Sequence, residues 1–337
     1  MMAQLLKKIA RVEDNPLELV ETPTPTPGDR EILIKVSVCG VCHTELDEIE
    51  GRLIPKLPVI LGHQIVGKVA EIGPNVSRYK IGDRVGVAWI YYACGKCFHC
   101  KNGDENLCES FKGTGCHADG GYAEFMTVSE DFAYHIPDQL TDIQTAPLLC
   151  AGAIGYRALK LTGMRNGETI GLYGYGASAH IIHQIINYLF PDSKIYVFTK
   201  VRDDAPSRLA QTLGADWVGM TGETPPSKLN RAIDTTPSGV VVKEALKNLE
   251  KGGRLVINVI RKETLVPEIE YSEYLWGERE VKSIANITRK DVQEFLLLAA
   301  KTRLNLKITE FKLDEANQAL LSLKHGKHIG AAVLKIT

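Results

Sequence analysis

The chain has 337 residues, 44% hydrophobic and 24% charged, with 30 glycines, 15 prolines and 8 cysteines. That composition is globular, and the length allows two domains, each with a core of its own. A formal net charge of −1 gives no electrostatic footprint for nucleic acid or an anionic membrane, and no apolar run is long enough for a membrane span.

The opening MMAQLLKKIARVED has neither a long apolar core nor a small-residue cleavage site, so no signal peptide is expected. Eight cysteines without a targeting segment point to the cytoplasm, where thiols serve metals more often than disulfides. The first 150 residues read as irregular β structure. EILIKVSVCG (31–40), LGHQIVGKVAEIG (61–73) and GDRVGVAWI (82–90) predict strands, with turns at 73–75 and 81–83. From about residue 150 the pattern becomes alternating strand and helix. ETIGLYGYG (168–176) predicts a strand entering a glycine-rich turn, and ASAHIIHQIINYLF (177–190) a helix. KIYVFT (194–199) is read as the second strand, RAIDTT (231–236) as the third and RLVINVI (254–260) as the fourth. Between them fall helices at 206–216 and 241–253, the latter stopped by paired glycines. Such a series predicts a doubly wound parallel sheet of α/β class. Two more helices (289–304 and 313–326) and a strand (330–336) close the chain.

Cys94, Cys97, Cys100 and Cys108 stand in the pattern C-x2-C-x2-C-x7-C. Short Cys-x-x-Cys steps let a turn bring two thiolates to one ion, and four thiolates complete a closed tetrahedral zinc shell. A redox pair or a disulfide ladder is the competing reading. Gly174, Gly176, Ala177, Ser178 and Ala179 form G-x-G-x-x-A between a strand and a helix, a pattern whose bare backbone admits a dinucleotide pyrophosphate. An ordinary strand-to-helix turn has the same local sequence. An acidic residue at the end of the second strand would select NAD; here stand Thr199, Lys200 and Arg202, which favours NADP(H) unless the two cations are only solvated surface charges.

GVCHTEL (40–46), GHQIVG (62–67), the four-cysteine lobe, DGGYAEF (119–125), APLLCAG (146–152) and GYGASA (174–179) follow one another as in a known family. Along essentially its whole length the chain resembles zinc-dependent medium-chain alcohol dehydrogenases, especially the cinnamyl-type branch. The resemblance implies a GroES-like β-rich catalytic domain (1–150 and 284–337) and a Rossmann cofactor domain (151–283). It implies two zinc ions per chain, one at the lobe (94–108) and one catalytic zinc on Cys42, His63 and Cys150. The small-molecule substrate would be an alcohol or aldehyde, and neither nucleic acid nor membrane is an expected partner. Thr44 matches the hydroxyl that meets the substrate oxygen, or is simply a half-buried strand-end threonine. His43 matches a position near the pyrophosphate, or is a lone exposed histidine. Trp89 falls on the substrate pocket or in the core.

Three positions depart from the family pattern. Glu45 replaces the usual Asp, so its bond to His63 is expected to be re-routed. Gln64 replaces a Glu, and Asp47 stands where a relay histidine is common. Cys39 and Cys116 are read as buried apolar thiols. The family implies a homo-oligomer, dimer or tetramer, formed through the cofactor sheet at RLVINVI. A polyol or sugar dehydrogenase of the same fold is the alternative enzyme, and a non-catalytic zinc-binding module the alternative of another class.

Overall fold

A computed structural model describes residues 1–327 and 330–336. Its contacts divide the chain into two compact units: Met1–Ala153 with Asn286–Lys301 and Asn305–Thr337, and Ile154–Ala285 with Thr302–Leu304.

The first unit is built around the strand Glu31–Val41, whose Ile32, Ile34 and Val36 are fully buried. β-Branched residues at alternate positions fit a pleated surface packed on one face. Phe125–Ser129 pairs antiparallel with the strand's first half, and Ala331–Lys335 with its second, so the end of the chain closes the sheet near its start. Ile65–Ile72 pairs along its other edge. Two predicted strands are shorter than expected. The segment 61–73 begins its strand only at Ile65, leaving His63 and Gln64 in the loop that enters it. The segment 82–90 breaks after Val87, and a second strand, Ile90–Tyr92, pairs elsewhere with Lys112–Gly113.

The second unit holds six parallel strands in the order Trp217–Met220, Lys194–Thr199, Thr169–Tyr173, Leu229–Asp234, Leu249–Ile257, Glu280–Ser283. Numbered along the chain this is 3-2-1-4-5-6, the doubly wound order whose switch point lies between Thr169–Tyr173 and Leu229–Asp234. Two strands had no signal in the sequence pattern. Trp217–Met220 is four residues long, and Glu280–Ser283 is exposed throughout, so neither shows an apolar alternation. The helix Val240–Asn248 ends before the paired glycines because Leu249 turns extended and joins the sheet opposite Leu229. RLVINVI is therefore not the sheet edge. Glu280–Ser283 covers it, and that short strand is the edge. No helix of the described residues is long and apolar enough to cross a membrane.

Candidate functional site

In the first unit Cys42 ends the central strand and caps the helix His43–Ile49, its backbone N–H donating to Glu45 Oε2 at 2.8 Å. His63 sits in the loop before Ile65–Ile72, and Cys150 in a π-helical turn, Leu148–Gly152, an irregularity frequent at functional sites. The chain thereby gathers three groups spread over more than a hundred residues, with one donor atom of each within 4.8 Å of the others. Cys42 Sγ lies 3.9 Å from Cys150 Sγ. Two thiolates on one tetrahedral zinc stand about 3.8 Å apart, whereas a disulfide requires about 2 Å. The donor set fits zinc.

Its electrostatics fit a cation as well. Glu45 is fully buried, and its Oε1 stands 2.7 Å from His63 Nδ1. The longer side chain is partly re-routed: Oε2 takes the Cys42 N–H, while Oε1 stays in ion-pair contact with the imidazole without a well-aligned hydrogen bond. With Nδ1 facing the carboxylate, Nε2 is the ring nitrogen left for a metal. Burial pushes the Glu45 carboxyl up, and the neighbouring Cys42 adds to that. The Cys150 bond pulls the Cys42 thiol well below its ordinary value, with His63 helping. Burial disfavours charge on His63, yet Glu45 and Cys42 outweigh it and hold its pKa well up. The Cys42 bond and burial push the Cys150 thiol well up, so the two thiolates and neutral imidazole that zinc requires would be favoured only with a divalent ion in place.

Thr44 is buried with its hydroxyl 3.6 Å from Cys42 Sγ, while His43, the first residue of the helix, is exposed. Asp47 is buried and its carboxylate receives the Arg52 Nε–H at 2.5 Å. Gln64 packs on Gly40, where a Cβ would lie 2.7 Å from its Cδ. Trp89 is buried between His63, which it meets edge-on at 5.0 Å, and Phe111 at 6.3 Å. It touches the site through the ligand ring. Sequence reasoning passed over Glu48, which is fully buried with neither carboxyl oxygen hydrogen-bonded among the described residues. Three residues beyond Glu45, it lies on the inward face of the same helix, which the helical period alone would have placed there.

The donor sulfurs of Cys94, Cys97, Cys100 and Cys108 also lie within 4.8 Å of one another. Backbone N–H groups point at the sulfurs: Cys97 N to Cys94 Sγ at 3.4 Å, Cys100 N to Cys97 Sγ at 3.5 Å and Cys94 N to Cys108 Sγ at 3.4 Å. The Lys96 and Cys97 amides bring the Cys94 thiol down to about 6, and burial pushes Cys100 up to about 12. Glu105, inside the lobe, accepts from Arg289 N at 2.9 Å and Nε at 3.0 Å, which ties the lobe to the helix Arg289–Thr302. Cys39 and Cys116 are buried outside both groups.

In the second unit, Gly174 adopts φ 81° and a Cβ there would meet Thr235 Oγ1 at 2.8 Å, so both backbone and packing require glycine. Gly176 differs. Its φ of −90° suits any residue, and a Cβ would meet nothing within 4 Å. Glycine here leaves bare backbone facing open space, as close approach of a ligand requires. The helix Ala177–Leu189 starts there without a side-chain cap, so its first N–H groups are free for an anion. Ala179 is buried, and Ser178 Oγ accepts from Asn258 Nδ2 at 3.2 Å. Thr199 does not face outward. Its buried hydroxyl lies 3.0 Å from Ser207 Oγ and 3.0 Å from the Val201 carbonyl, which removes it from the expected ligand set. Lys200 and Arg202 are exposed, and Arg202 pairs with Glu223. At the end of the fourth strand, Lys262 Nζ bonds Asp234 Oδ2 at 2.5 Å and the Thr236 carbonyl at 2.7 Å, a clamp the sequence did not suggest.

A doubly wound dinucleotide-type sheet, with a β-rich unit that gathers two cysteine-built clusters able to hold a metal, is the arrangement of a zinc-type dehydrogenase. The profile of the alcohol dehydrogenase GroES-like domain matches residues 28–138. The chain is 41% identical to a probable alcohol dehydrogenase, AdhA, of Mycobacterium tuberculosis, over 100% of this chain and 97% of that protein. It is 34% identical to an alcohol dehydrogenase of Geobacillus stearothermophilus, covering 98% and 99%. Among solved structures, a cinnamyl alcohol dehydrogenase of Sorghum bicolor superposes with TM-score 0.87 at 25% identity, over 99% of this chain and 97% of that one. The chain belongs to the zinc-type medium-chain alcohol dehydrogenase family.

Proposed function

We infer that this protein is an alcohol dehydrogenase that interconverts alcohols with aldehydes or ketones using NAD(P). The observation that carries the reading is the convergence of Cys42, His63 and Cys150 on one point, three donors where four would close the shell. Zinc held there would supply Lewis acidity at the remaining position. The residues around it do the rest. Glu45 fixes the His63 tautomer. Thr44, beside Cys42, would relay the substrate's hydroxyl proton, its Oγ accepting that proton as it gives up its own. Asp47 is engaged by Arg52, so exposed His43 is the better group to pass that proton to solvent. In the second unit the bare backbone at Gly176 and the helix behind it receive the pyrophosphate.

Four finer points belong to the same reading. A second zinc sits on Cys94, Cys97, Cys100 and Cys108, where four ligands leave no place for substrate, so its role is to brace the lobe. NADP(H) is preferred, on the exposed cations Lys200 and Arg202, while the Thr199 hydroxyl is engaged inside the fold. The protein works as a homo-oligomer, through the edge strand Glu280–Ser283 with its exposed Val281, and the exposed Trp276 just before it in the chain. It works in the cytoplasm, where its eight unbridged cysteines stay reduced. Elemental analysis and NADPH oxidation against a panel of aldehydes, ketones and sugars test the reading. Zinc-dependent turnover of aldehydes or ketones supports it; turnover confined to sugars would replace it with the polyol alternative.

A further inference from the structure

We propose that the hydrogen bond between Tyr175 and His183 is a latch that presets the glycine-rich turn for a dinucleotide pyrophosphate, with Tyr175 as a positioning residue. The proposal rests on the reading of this unit as dinucleotide-binding. Tyr175 is the middle residue of Gly174-Tyr175-Gly176, and its side chain turns inward and is buried. Its phenol oxygen lies 2.6 Å from Nδ1 of His183, itself fully buried two turns along the helix Ala177–Leu189. The rings meet edge-on, with centroids 5.8 Å apart at 80°.

The bond therefore joins the turn to the same helix whose N-terminus faces the ligand. A turn with two glycines loses more freedom on ordering than one without them, so a free turn would have to be ordered at each binding event. The latch orders it beforehand. Burial pushes His183 down to about 4 and keeps the Tyr175 phenol protonated, so a neutral ring accepts the O–H at Nδ1. Two aliphatic side chains could fill the same space without burying polar atoms. What the polar pair adds is direction: one bond fixes where residue 175, and with it the backbone of Gly176, stands.

The test uses the full-length protein with ADP-ribose as the probe, measured by calorimetry, and hydrogen exchange of the ligand-free backbone. Tyr175→Phe removes one oxygen and His183→Leu removes the acceptor. Each is expected to weaken ADP-ribose by about tenfold, the size of one net buried hydrogen bond. Each should also speed exchange in 174–179 while the strands Thr169–Tyr173 and Leu229–Asp234 keep their protection. His183→Asn, whose amide oxygen stands near the place of Nδ1, should retain affinity. Unchanged ADP-ribose affinity in the first two variants overturns the latch, as does faster exchange spread evenly over the sheet. If the wild-type protein binds no ADP-ribose, the dinucleotide reading itself fails.

Discussion

Glu45 Oε1 stands 2.7 Å from Nδ1 of His63, both side chains buried, while Glu45 Oε2 accepts the backbone N–H of Cys42. One carboxylate thus holds two of the three candidate ligands, which a shorter aspartate would reach less easily.

Replacing that carboxylate should loosen the metal without unfolding the chain. Glu45→Gln is expected to lower zinc affinity at Cys42, His63 and Cys150 by about tenfold to a hundredfold. Chelator competition measures it; unchanged retention would mean that Cys42 and His63 are oriented by other contacts.

The Lys262–Asp234 clamp is a buried ion pair whose ammonium also holds the Thr236 and Ser238 carbonyls. Removing only the cation strands the Asp234 carboxylate. Lys262→Met is expected to destabilise the second unit by about 3 kcal/mol, and adding Asp234→Asn to recover part of that loss. Urea unfolding of the single and double variants checks both.

A pH effect follows from Glu50. Partial burial pushes its carboxyl up, but hydrogen bonds from Lys324 and Arg52 prevail and hold it at about 2. A carboxyl depressed in the fold stabilises above its unfolded value, roughly 4.3, and that contribution fades as pH falls toward the folded value. It is worth about 2 kcal/mol once screening of the partly exposed cations is allowed for. Between about pH 5 and pH 3 the wild-type melting temperature should fall more steeply than that of Glu50→Gln. Parallel curves would contradict this.

Arg202 is exposed but paired with Glu223. If Arg202 recognises the extra phosphate of NADP, freeing it should sharpen selectivity. Glu223→Gln is expected to raise the NADPH over NADH affinity ratio by about threefold, the scale of one surface ion pair. No change in the ratio would leave Lys200 alone as the discriminating cation.

The sequence showed what is local and missed what depends on register. Four cysteines within 94–108 are close enough that a turn must gather them, so their metal chemistry could be read from spacing. Cys42, His63 and Cys150 carry no such pattern; only family resemblance grouped them, and only the fold supplied the 3.9 Å between the two sulfurs. Long apolar strands such as Lys194–Thr199 announced themselves, whereas the four-residue, exposed Glu280–Ser283 did not, and the sheet edge was misplaced by one strand. Thr199 reads as a phosphate ligand from its place beside Lys200 and Arg202, but strand position says nothing of which way a hydroxyl at the strand's end turns. Lys262 and Asp234 are 28 residues apart and meet only because the loops after adjacent parallel strands lie side by side.

We propose that catalysis belongs to the three scattered ligands and bracing to the four clustered ones. Zinc content and NADP⁺ reduction by an alcohol, measured on wild type, Cys150→Ser and Cys97→Ser, test it most directly. Two zincs per chain are expected in the wild type, with a matched loss of one zinc and of turnover in Cys150→Ser. Cys97→Ser should lose the other zinc and melt earlier, with turnover remaining in the folded fraction. Wild-type turnover in Cys150→Ser, or a wild type without zinc, would contradict it.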